Sequence, residues 1–284
     1  MNIFITGSNG FLGTYFRKNN KIKDCDLIYG STSESNFTIK FNKLYSNIFE
    51  ILNNKKIDII IHFASIIPKS FQSASFKSVF LPNIKMMNNL LEFSIYKEIR
   101  KFIYISSFGS MKRPRNLDIH DFYTMSKITG EYFCSIMETK GIQTASLRLS
   151  APYGEYSHTK NVMNLFIEKA IKNEKVEIFG SGKREQNFIY AGDILNAIEL
   201  CIKKDVSGIY NIVSKRNISM LNLAKIIVRV TNSKSKILIN RQLDPQEGYK
   251  PNYNYNRAYK ELGFTPQYDI ERGLNKYIKW LINR

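Results

Sequence analysis

The segment Asn2-Ile3-Phe4-Ile5-Thr6-Gly7-Ser8-Asn9-Gly10-Phe11-Leu12-Gly13 limits what this 284-residue chain can fold into more than any other. A short apolar run leads straight into three glycines spaced three apart, and the residues that follow repeat at helical period. Gly7 permits a tight turn, Gly10 lets backbone amides approach a bound group, and Gly13 lets the helix pack closely on the strand. The dipole at such a helix start favours an anion, so the turn reads as a seat for a pyrophosphate. A glycine triplet alone is a weak signal; between a buried strand and a helix it is a specific one.

Downstream, β-rich runs alternate with helical patterns. Residues 2–6, 26–29, 57–62, 102–106 and 144–149 are mostly continuous apolar runs, as in parallel strands covered on both faces. Helical periodicity fills 11–19, 45–53, 83–97 and 122–140 between them. This alternation indicates an α/β fold with a doubly wound parallel sheet. Beyond residue 150 the alternation loosens. Loops containing Gly154, Gly180 and Gly182 precede or separate helical stretches near 160–173, 191–204, 219–231 and 270–282. The expected division is a first domain over 1–150 and a smaller lobe over 151–284, with 187–213 returning to the main sheet.

Charge and cysteine usage narrow the function classes. The net charge of +18 would suit a polyanion binder, but lysines are scattered along the chain with no basic block, so no nucleic-acid role is expected. A basic protein still suits an anionic cofactor and substrate. The most apolar run, 57–67, carries Asp58 and His62 and is too short to cross a bilayer. At the N-terminus basic residues follow the apolar run, the reverse of a signal peptide. Cys25, Cys134 and Cys201 are odd in number and widely spaced, fitting neither a disulfide framework nor a metal-ligand set. No metal, no membrane and a reducing cytoplasm are the expectations.

Two further features point to chemistry. Tyr123 and Lys127 stand four apart in a helical pattern, hence on one face a turn apart. A phenol with an unperturbed pKa near ~10 is a poor base at neutral pH, and a neighbouring ammonium lowers that value by stabilising the phenolate. Upstream, the strand pattern 101–107 ends in Ser106 and Ser107, and ligands of such sheets sit at the carboxyl ends of strands. Ser107 is therefore a candidate partner for the substrate oxygen whose proton Tyr123 transfers. A Tyr–Lys pair or a strand-end serine alone is commonplace as a surface pair or turn cap. Their joint occurrence after a glycine turn is not. The second strand ends Tyr29-Gly30-Ser31-Thr32-Ser33, with Glu34 the first acid. An acid here would select the ribose hydroxyls of NAD; small hydroxyl residues leave room for a 2′-phosphate and favour NADP, although no arginine adjoins them.

Together these residues resemble the extended short-chain dehydrogenase/reductase superfamily, in its NAD-dependent epimerase/dehydratase branch, over nearly the whole chain. Other landmarks add to the resemblance: Asp58-Ile59-Ile60-Ile61-His62-Phe63-Ala64, Asn83 opening a helix that runs on to Asn89-Leu90-Leu91, and Glu131 four residues after Lys127. Arg148-Leu149-Ser150-Ala151-Pro152-Tyr153-Gly154, Phe188-Ile189-Tyr190-Ala191-Gly192-Asp193 and Glu261-Leu262-Gly263-Phe264-Thr265-Pro266 complete them. The resemblance implies a Rossmann-type NAD(P)-binding domain over 1–150 and a C-terminal substrate-binding lobe. It implies a cofactor held by Gly7, Asn9, Gly10, Phe11, Leu12, Gly13, Ser31, Thr32, Phe63, Ala64, Ser65, Ser106 and Lys127. Tyr123 becomes the general acid–base, Lys127 the group that lowers its pKa and holds the ribose, and Ser107 the residue that orients the substrate oxygen. The implied substrate is a nucleoside-diphosphate sugar, met by Ser107, Phe108, Tyr123, Ala151, Arg184 and Gln186. Helices 83–97 and 122–140 become the faces of a homodimer.

Departures from the family pattern narrow the reaction. The 4,6-dehydratases carry an Asp-Glu pair just after the strand-end hydroxyl; here Ser107 is followed by Phe108-Gly109-Ser110-Met111, so dehydration is not expected. The cysteine that 3,5-epimerising reductases use near that place is missing. Sixteen positions separate Ser107 from Tyr123, fewer than in most 4-epimerases. Gln186-Asn187 replaces the family's Arg-Asp before Phe188, leaving Arg184 as the nearby cation for a diphosphate. The expectation tilts to reduction of a 4-keto sugar, with a nucleotide-sugar 4-epimerase as the alternative. A redox-inactive cofactor-binding protein is a third reading, disfavoured because Ser107, Tyr123 and Lys127 are all retained. His62 reads as packing at a strand end, and Tyr156 and His158 as loop residues. Tyr249, Tyr253 and Tyr255 with Arg241 and Arg257 read equally as a nucleotide contact or as surface.

Overall fold

The computed structural model describes residues 1–33, 35–68, 74–108, 121–159, 161–240 and 242–284; Glu34, Gly109-Ser110-Met111 and Arg241 lie outside them. The chain opens with β1 (Asn2–Thr6), α1 (Phe11–Asn19), β2 (Asp26–Ser31), β3 (Ile39–Lys40), α2 (Ile48–Leu52) and β4 (Ile59–His62). After a π-helical turn over Phe76–Phe80 come α3 (Leu81–Tyr96), β5 (Lys101–Ser107), α4 (Phe122–Thr139) and β6 (Gln143–Leu149). Next are β7 (Ala151–Tyr153), α5 (Val162–Ile171), β8 (Val176–Phe179), β9 (Glu185–Gln186), β10 (Phe188–Tyr190), α6 (Ala191–Lys203) and β11 (Gly208–Ile212). The last elements are β12 (Ile218–Ser219), α7 (Met220–Val230), β13 (Ile237–Asn240), a second π-helical turn over Ala258–Leu262, and α8 (Ile270–Ile282).

The chain divides into two compact units. One contains Met1–Leu149, Leu195–Ile212 and Asn256–Phe264; the other contains Ser150–Ile194, Val213–Tyr255 and Thr265–Arg284. The first holds a seven-stranded parallel sheet in the order β11-β6-β5-β4-β1-β2-β3. This is the expected doubly wound arrangement, and the strand order reverses between β1 and β4. The loops that diverge there leave a crevice at the carboxyl ends of the strands. The central strands are buried throughout because helices cover both faces, which is why they read as unbroken apolar runs. Phe4, Ile60, Phe102 and Tyr104 pack with Leu90 and Phe93 of α3 and Met137 of α4 in a buried cluster of this unit.

Several boundaries differ from those expected. Tyr45 takes a left-handed φ of 54°, so α2 starts only at Ile48 and spans five residues. Asp58 stays outside β4, and its carboxylate accepts the Asn2 amide at 2.7 Å. Asn83 does not open a helix: α3 begins two residues earlier, behind a π-helical turn capped by Ser75.

The second unit contains three two-stranded ladders, β7 with β10, β8 with β13 and β9 with β12. Tyr153, Phe166, Phe188, Leu223, Leu274 and Tyr277 form its core. Asn187 is a buried knot in it. Its side-chain carbonyl accepts from the Ser150 hydroxyl and the Ser214 amide, both at 2.9 Å. Its amide nitrogen donates to the Ser214 carbonyl and the Asn217 side chain, both at 3.1 Å. Asp193, also buried, accepts the backbone amides of Gln267 and Tyr268, and burial lifts its carboxyl to about 6. Among the described residues no helix is long and apolar enough to cross a membrane.

Lys101 is buried on β5, and its amine donates to the carbonyls of Cys201, at 2.8 Å, and Lys204. Those groups sit at the carboxyl end of α6, where orphan carbonyls and the helix dipole favour a cation. Removing the amine leaves these carbonyls without that donor. Lys101→Met is expected to cost about 2 kcal/mol. A lower urea midpoint with an unchanged slope would show it; an unchanged midpoint would deny the cap any weight.

Candidate active site

The carboxyl ends of β1, β4 and β5 hold most of the candidate residues. Gly7 takes a φ of +66°, and a Cβ there would lie 2.6 Å from the Ala64 amide nitrogen. A Cβ at Gly13 would lie 2.2 Å from the Gly7 carbonyl oxygen, so strand, turn and helix meet at a distance only glycine allows. Gly10 differs. A Cβ there would meet only the Gly7 carbonyl, at 3.2 Å, and Gly10 caps α1 with no side chain. The turn is therefore tight underneath and open at Gly10, ahead of the half-buried Phe11 and Leu12. An anion is favoured at that opening by the first-turn amides and the helix dipole.

Tyr45 supports this turn, and its role was not legible in the sequence. Its hydroxyl accepts the Gly7 amide at 3.0 Å and donates to the Gly30 carbonyl at 3.4 Å. The turn is thereby tied to the end of β2. There Ser31 is buried and shares a hydrogen bond with Ser33, which also receives one from the Asn9 amide at 3.0 Å; Thr32 is exposed. Asn9 and the β2 hydroxyls thus form one cluster above the glycine turn.

At the end of β4 the Phe63 ring packs 5.8 Å from Phe16, and the Ala64 amide donates to the Thr6 hydroxyl at 3.2 Å. Asn83 grips the next backbone unit, accepting the Ile66 amide at 2.8 Å and donating to the Ile66 carbonyl and the Ser126 hydroxyl, both at 3.1 Å. Between them the Ser65 hydroxyl is buried and, among the described residues, has no partner at hydrogen-bond geometry. A buried orphan hydroxyl needs an explanation, and a polar ligand lying along β4 supplies one. The open glycine turn and this hydroxyl fit a dinucleotide.

On α4, capped by Asp121 through the Tyr123 amide at 2.8 Å, Tyr123 and Lys127 share one face. The Lys127 Nζ lies 5.6 Å from the centroid of the Tyr123 ring and donates to the Ile105 carbonyl at 2.9 Å. Burial pushes the Lys127 amine down to about 7, against the attraction of Glu131. Burial, aided by Asp121, pushes the Tyr123 phenol up to about 12. That is opposite to the direction expected from an adjacent ammonium, because desolvation disfavours the phenolate more than its neighbours favour it. Ser65 opposes the rise from a position near the phenol that falls short of hydrogen-bond geometry.

Ser107 ends β5 half-buried, next to a buried Phe108. The Ser106 hydroxyl is committed inward, donating to Glu131 at 2.6 Å. Arg148 completes that knot with bonds to both Glu131 oxygens, at 2.8 and 2.6 Å. His62 is buried, bonded through Nδ1 to the Thr6 hydroxyl at 2.7 Å, and kept neutral by a pKa pushed down to about 3.

Ala151, Arg184 and Gln186 belong to the second unit. The Ala151 amide donates to the Asn187 carbonyl, and Gln186 lies in β9 opposite Ile218. The Arg184 guanidinium pairs with Asp244 at 2.7 Å and Gln246 at 3.0 Å, so two of its donors are in use. The Tyr249 and Tyr253 hydroxyls bond each other at 3.0 Å, and Arg257, in the first unit, pairs with Glu261 and lies over the Tyr210 ring. Tyr156 packs edge-on against Trp280.

Comparison with known proteins fits this geometry. The model of the NAD dependent epimerase/dehydratase family matches residues 3–213. The dTDP-D-glucose 4,6-dehydratase of Dictyostelium discoideum is 30% identical over 271 residues, covering 81% of this chain and 62% of its own length. Among solved structures, the UDP-glucose 4-epimerase of Thermotoga maritima with UDP-glucose superposes with a TM-score of 0.87 at 20% identity, covering 100% of this chain and 99% of its own. The UDP-N-acetylglucosamine 4-epimerase of Methanobrevibacter ruminantium, in complex with UDP-N-acetylmuramic acid, gives 0.85 at 22% identity over 99% and 98%. The chain belongs to the NAD-dependent epimerase/dehydratase family of nucleotide-sugar enzymes.

Proposed function

We propose that the chain is a nucleotide-sugar 4-epimerase in which Tyr123 takes and returns the proton of the sugar's C4 hydroxyl. The observation that carries this is the Tyr123–Lys127 pair on one face of α4, its amine bonded to the Ile105 carbonyl just before the Ser106-Ser107 end of β5. A bound nicotinamide dinucleotide supplies the hydride acceptor and donor. The turn of Gly7, Gly10 and Gly13 would hold its pyrophosphate, Asn9, Ser31 and Thr32 its adenosine ribose, and Phe63, Ala64, Ser65 and Lys127 its nicotinamide half. Ser107 orients the substrate oxygen toward Tyr123. The raised phenol is a proton donor at neutral pH; it becomes a base when Lys127 carries its proton and offsets the phenolate charge.

The tilt toward a reductase in the sequence yields here to the likeness with two 4-epimerases over nearly the whole chain. Dehydration is disfavoured although a dehydratase is a 30% relative, because Phe108-Gly109 stands where dehydratases carry their two carboxylates. A 4-keto-sugar reductase remains the second reading. The cluster of the Asn9 side-chain amide with the Ser31 and Ser33 hydroxyls favours it, since it suits the extra phosphate of NADP. Exposed Ile95 and Tyr96 on α3 and Tyr132 and Ile136 on α4 support a homodimer through these helices.

Incubation with a panel of UDP- and dTDP-sugars and NAD is expected to interconvert C4 epimers with no net change at the reduced nicotinamide absorbance band. Stoichiometric consumption of NADPH by 4-keto sugars would instead select the reductase. Tyr123→Phe is expected to lower kcat by about 100-fold or more while cofactor binding persists; unchanged turnover would remove Tyr123 from the chemistry.

Burial of Lys127 also has a signature that needs no substrate. Its folded pKa of about 7 lies below the ordinary 10.5, so between these values the unfolded chain binds the extra proton and stability rises with pH. The contribution is full above 10.5 and is lost as pH falls toward 7. In Lys127→Met the urea midpoint should therefore depend less on pH between about 7 and 10. Equal slopes in variant and parent would mean that the amine keeps its proton in the fold.

A further inference from the structure

On the reading of Tyr123 and Lys127 as an acid–base pair, we propose that Tyr104 is a positioning residue for Lys127: its ring seats the buried ammonium, in a notch that Gly130 keeps open. The Lys127 Nζ lies 5.0 Å from the centroid of the Tyr104 ring, nearer than the 5.6 Å to the Tyr123 ring. The amine's protein hydrogen bond, to the Ile105 carbonyl, uses one of three donors. Two aromatic rings also face the amine, and a cation over a ring is attracted most strongly where water is excluded.

The Tyr104 ring is fixed on both sides. Beneath it, His62 stacks at 5.8 Å with an interplanar angle of 17°, and His62 is itself held by the Thr6 hydroxyl at 2.7 Å. Above it, a Cβ at Gly130 would stand 2.3 Å from the phenol oxygen and 2.5 Å from the ring carbon that bears it. Gly130 lies three residues after Lys127, on the same side of α4. Any larger residue there would drive the ring out of its place beneath the amine. Thr6, His62, Tyr104 and Lys127 thus form a packed column from the residue just before the glycine turn to the acid–base pair.

The groups facing Lys127 are Tyr123 and Glu131 from α4, His62 from β4 and Tyr104 from β5, with Arg148 of β6 beyond Glu131. His62 is neutral and burial raises the Tyr104 phenol far above its usual range, so both stay uncharged near neutral pH. Glu131 attracts the ammonium by charge, but its oxygens are shared with Ser106 and Arg148. The Tyr104 ring favours the charged amine over the neutral one without carrying charge. Loss of that contact should lower the Lys127 titration midpoint by about one unit.

The test is the titration of Lys127 in the full chain, uniformly labelled with 13Cε-lysine, its resonance assigned by loss in Lys127→Met. Tyr104→Leu should lower the midpoint by about one unit. Tyr104→Phe, which keeps the ring, should titrate with the parent, and Gly130→Ala, which displaces the ring, should shift as Leu does. A midpoint in Tyr104→Leu equal to the parent's, or a Phe variant shifted as far as Leu, overturns the proposal. Should Tyr104→Leu not fold, an unshifted Gly130→Ala overturns it equally. No substrate or nucleotide is needed. A protein that shows these shifts but turns over no sugar loses the proposed function and keeps the seat; one that epimerises with unshifted variants loses only the seat.

Discussion

A lysine amine sealed from water is the constraint around which the first unit is arranged. Lys127 must find its partners within the protein, and it has a strand carbonyl, two aromatic rings and a carboxylate one turn further along its own helix. Each partner has needs of its own. The carboxylate of Glu131 is satisfied by Ser106 and Arg148, so β5, β6 and α4 are cross-linked beside the Tyr–Lys pair. The desolvation that makes the amine give up its proton near neutrality also holds the neighbouring phenol protonated. A site of this kind changes its protonation state when charge enters it, and its proton chemistry is tied to what binds there.

The same unit shows how a fold can be dictated by a few close approaches. Strand, turn and helix meet at Gly7 and Gly13 with no space for a methyl group, while Gly10 is left facing outward. The strand order then reverses beside that turn, which opens the crevice where the serine and the Tyr–Lys pair end their strand and begin their helix.

Much of this was legible in the sequence because it rests on spacing. The glycine triplet, the apolar strands and the Tyr–Lys interval each follow from a period that survives in one dimension, and the parallel sheet follows from their alternation. What escaped rests on contacts between distant residues. Tyr45 braces Gly7 from a left-handed backbone position that nothing in its neighbours announces. The Ser106 hydroxyl is met by Glu131 from the middle of α4, a contact that no interval along the chain announces. Gly130 resembles any small residue in a helix until the Tyr104 hydroxyl is found beneath it. The ladders of the second unit are two to four residues long, too short to leave a periodic trace. The direction of the Tyr123 shift also escaped, because spacing reports neighbours and says nothing about how much solvent they exclude.

The knot at Asn187 has a consequence for how the second unit tolerates its surroundings. At this junction the chain has a carboxamide that both gives and receives, meeting the Ser150 and Ser214 donors through its oxygen and the acceptors of Ser214, Arg216 and Asn217 through its nitrogen. A carboxylate could serve only the first pair and would bring a charge into a dry interior. The amide does not titrate and calls for no counterion. In a protein so rich in lysine, the junction it ties is insulated from acidity and ionic strength, and an aspartate in its place would expose it to both.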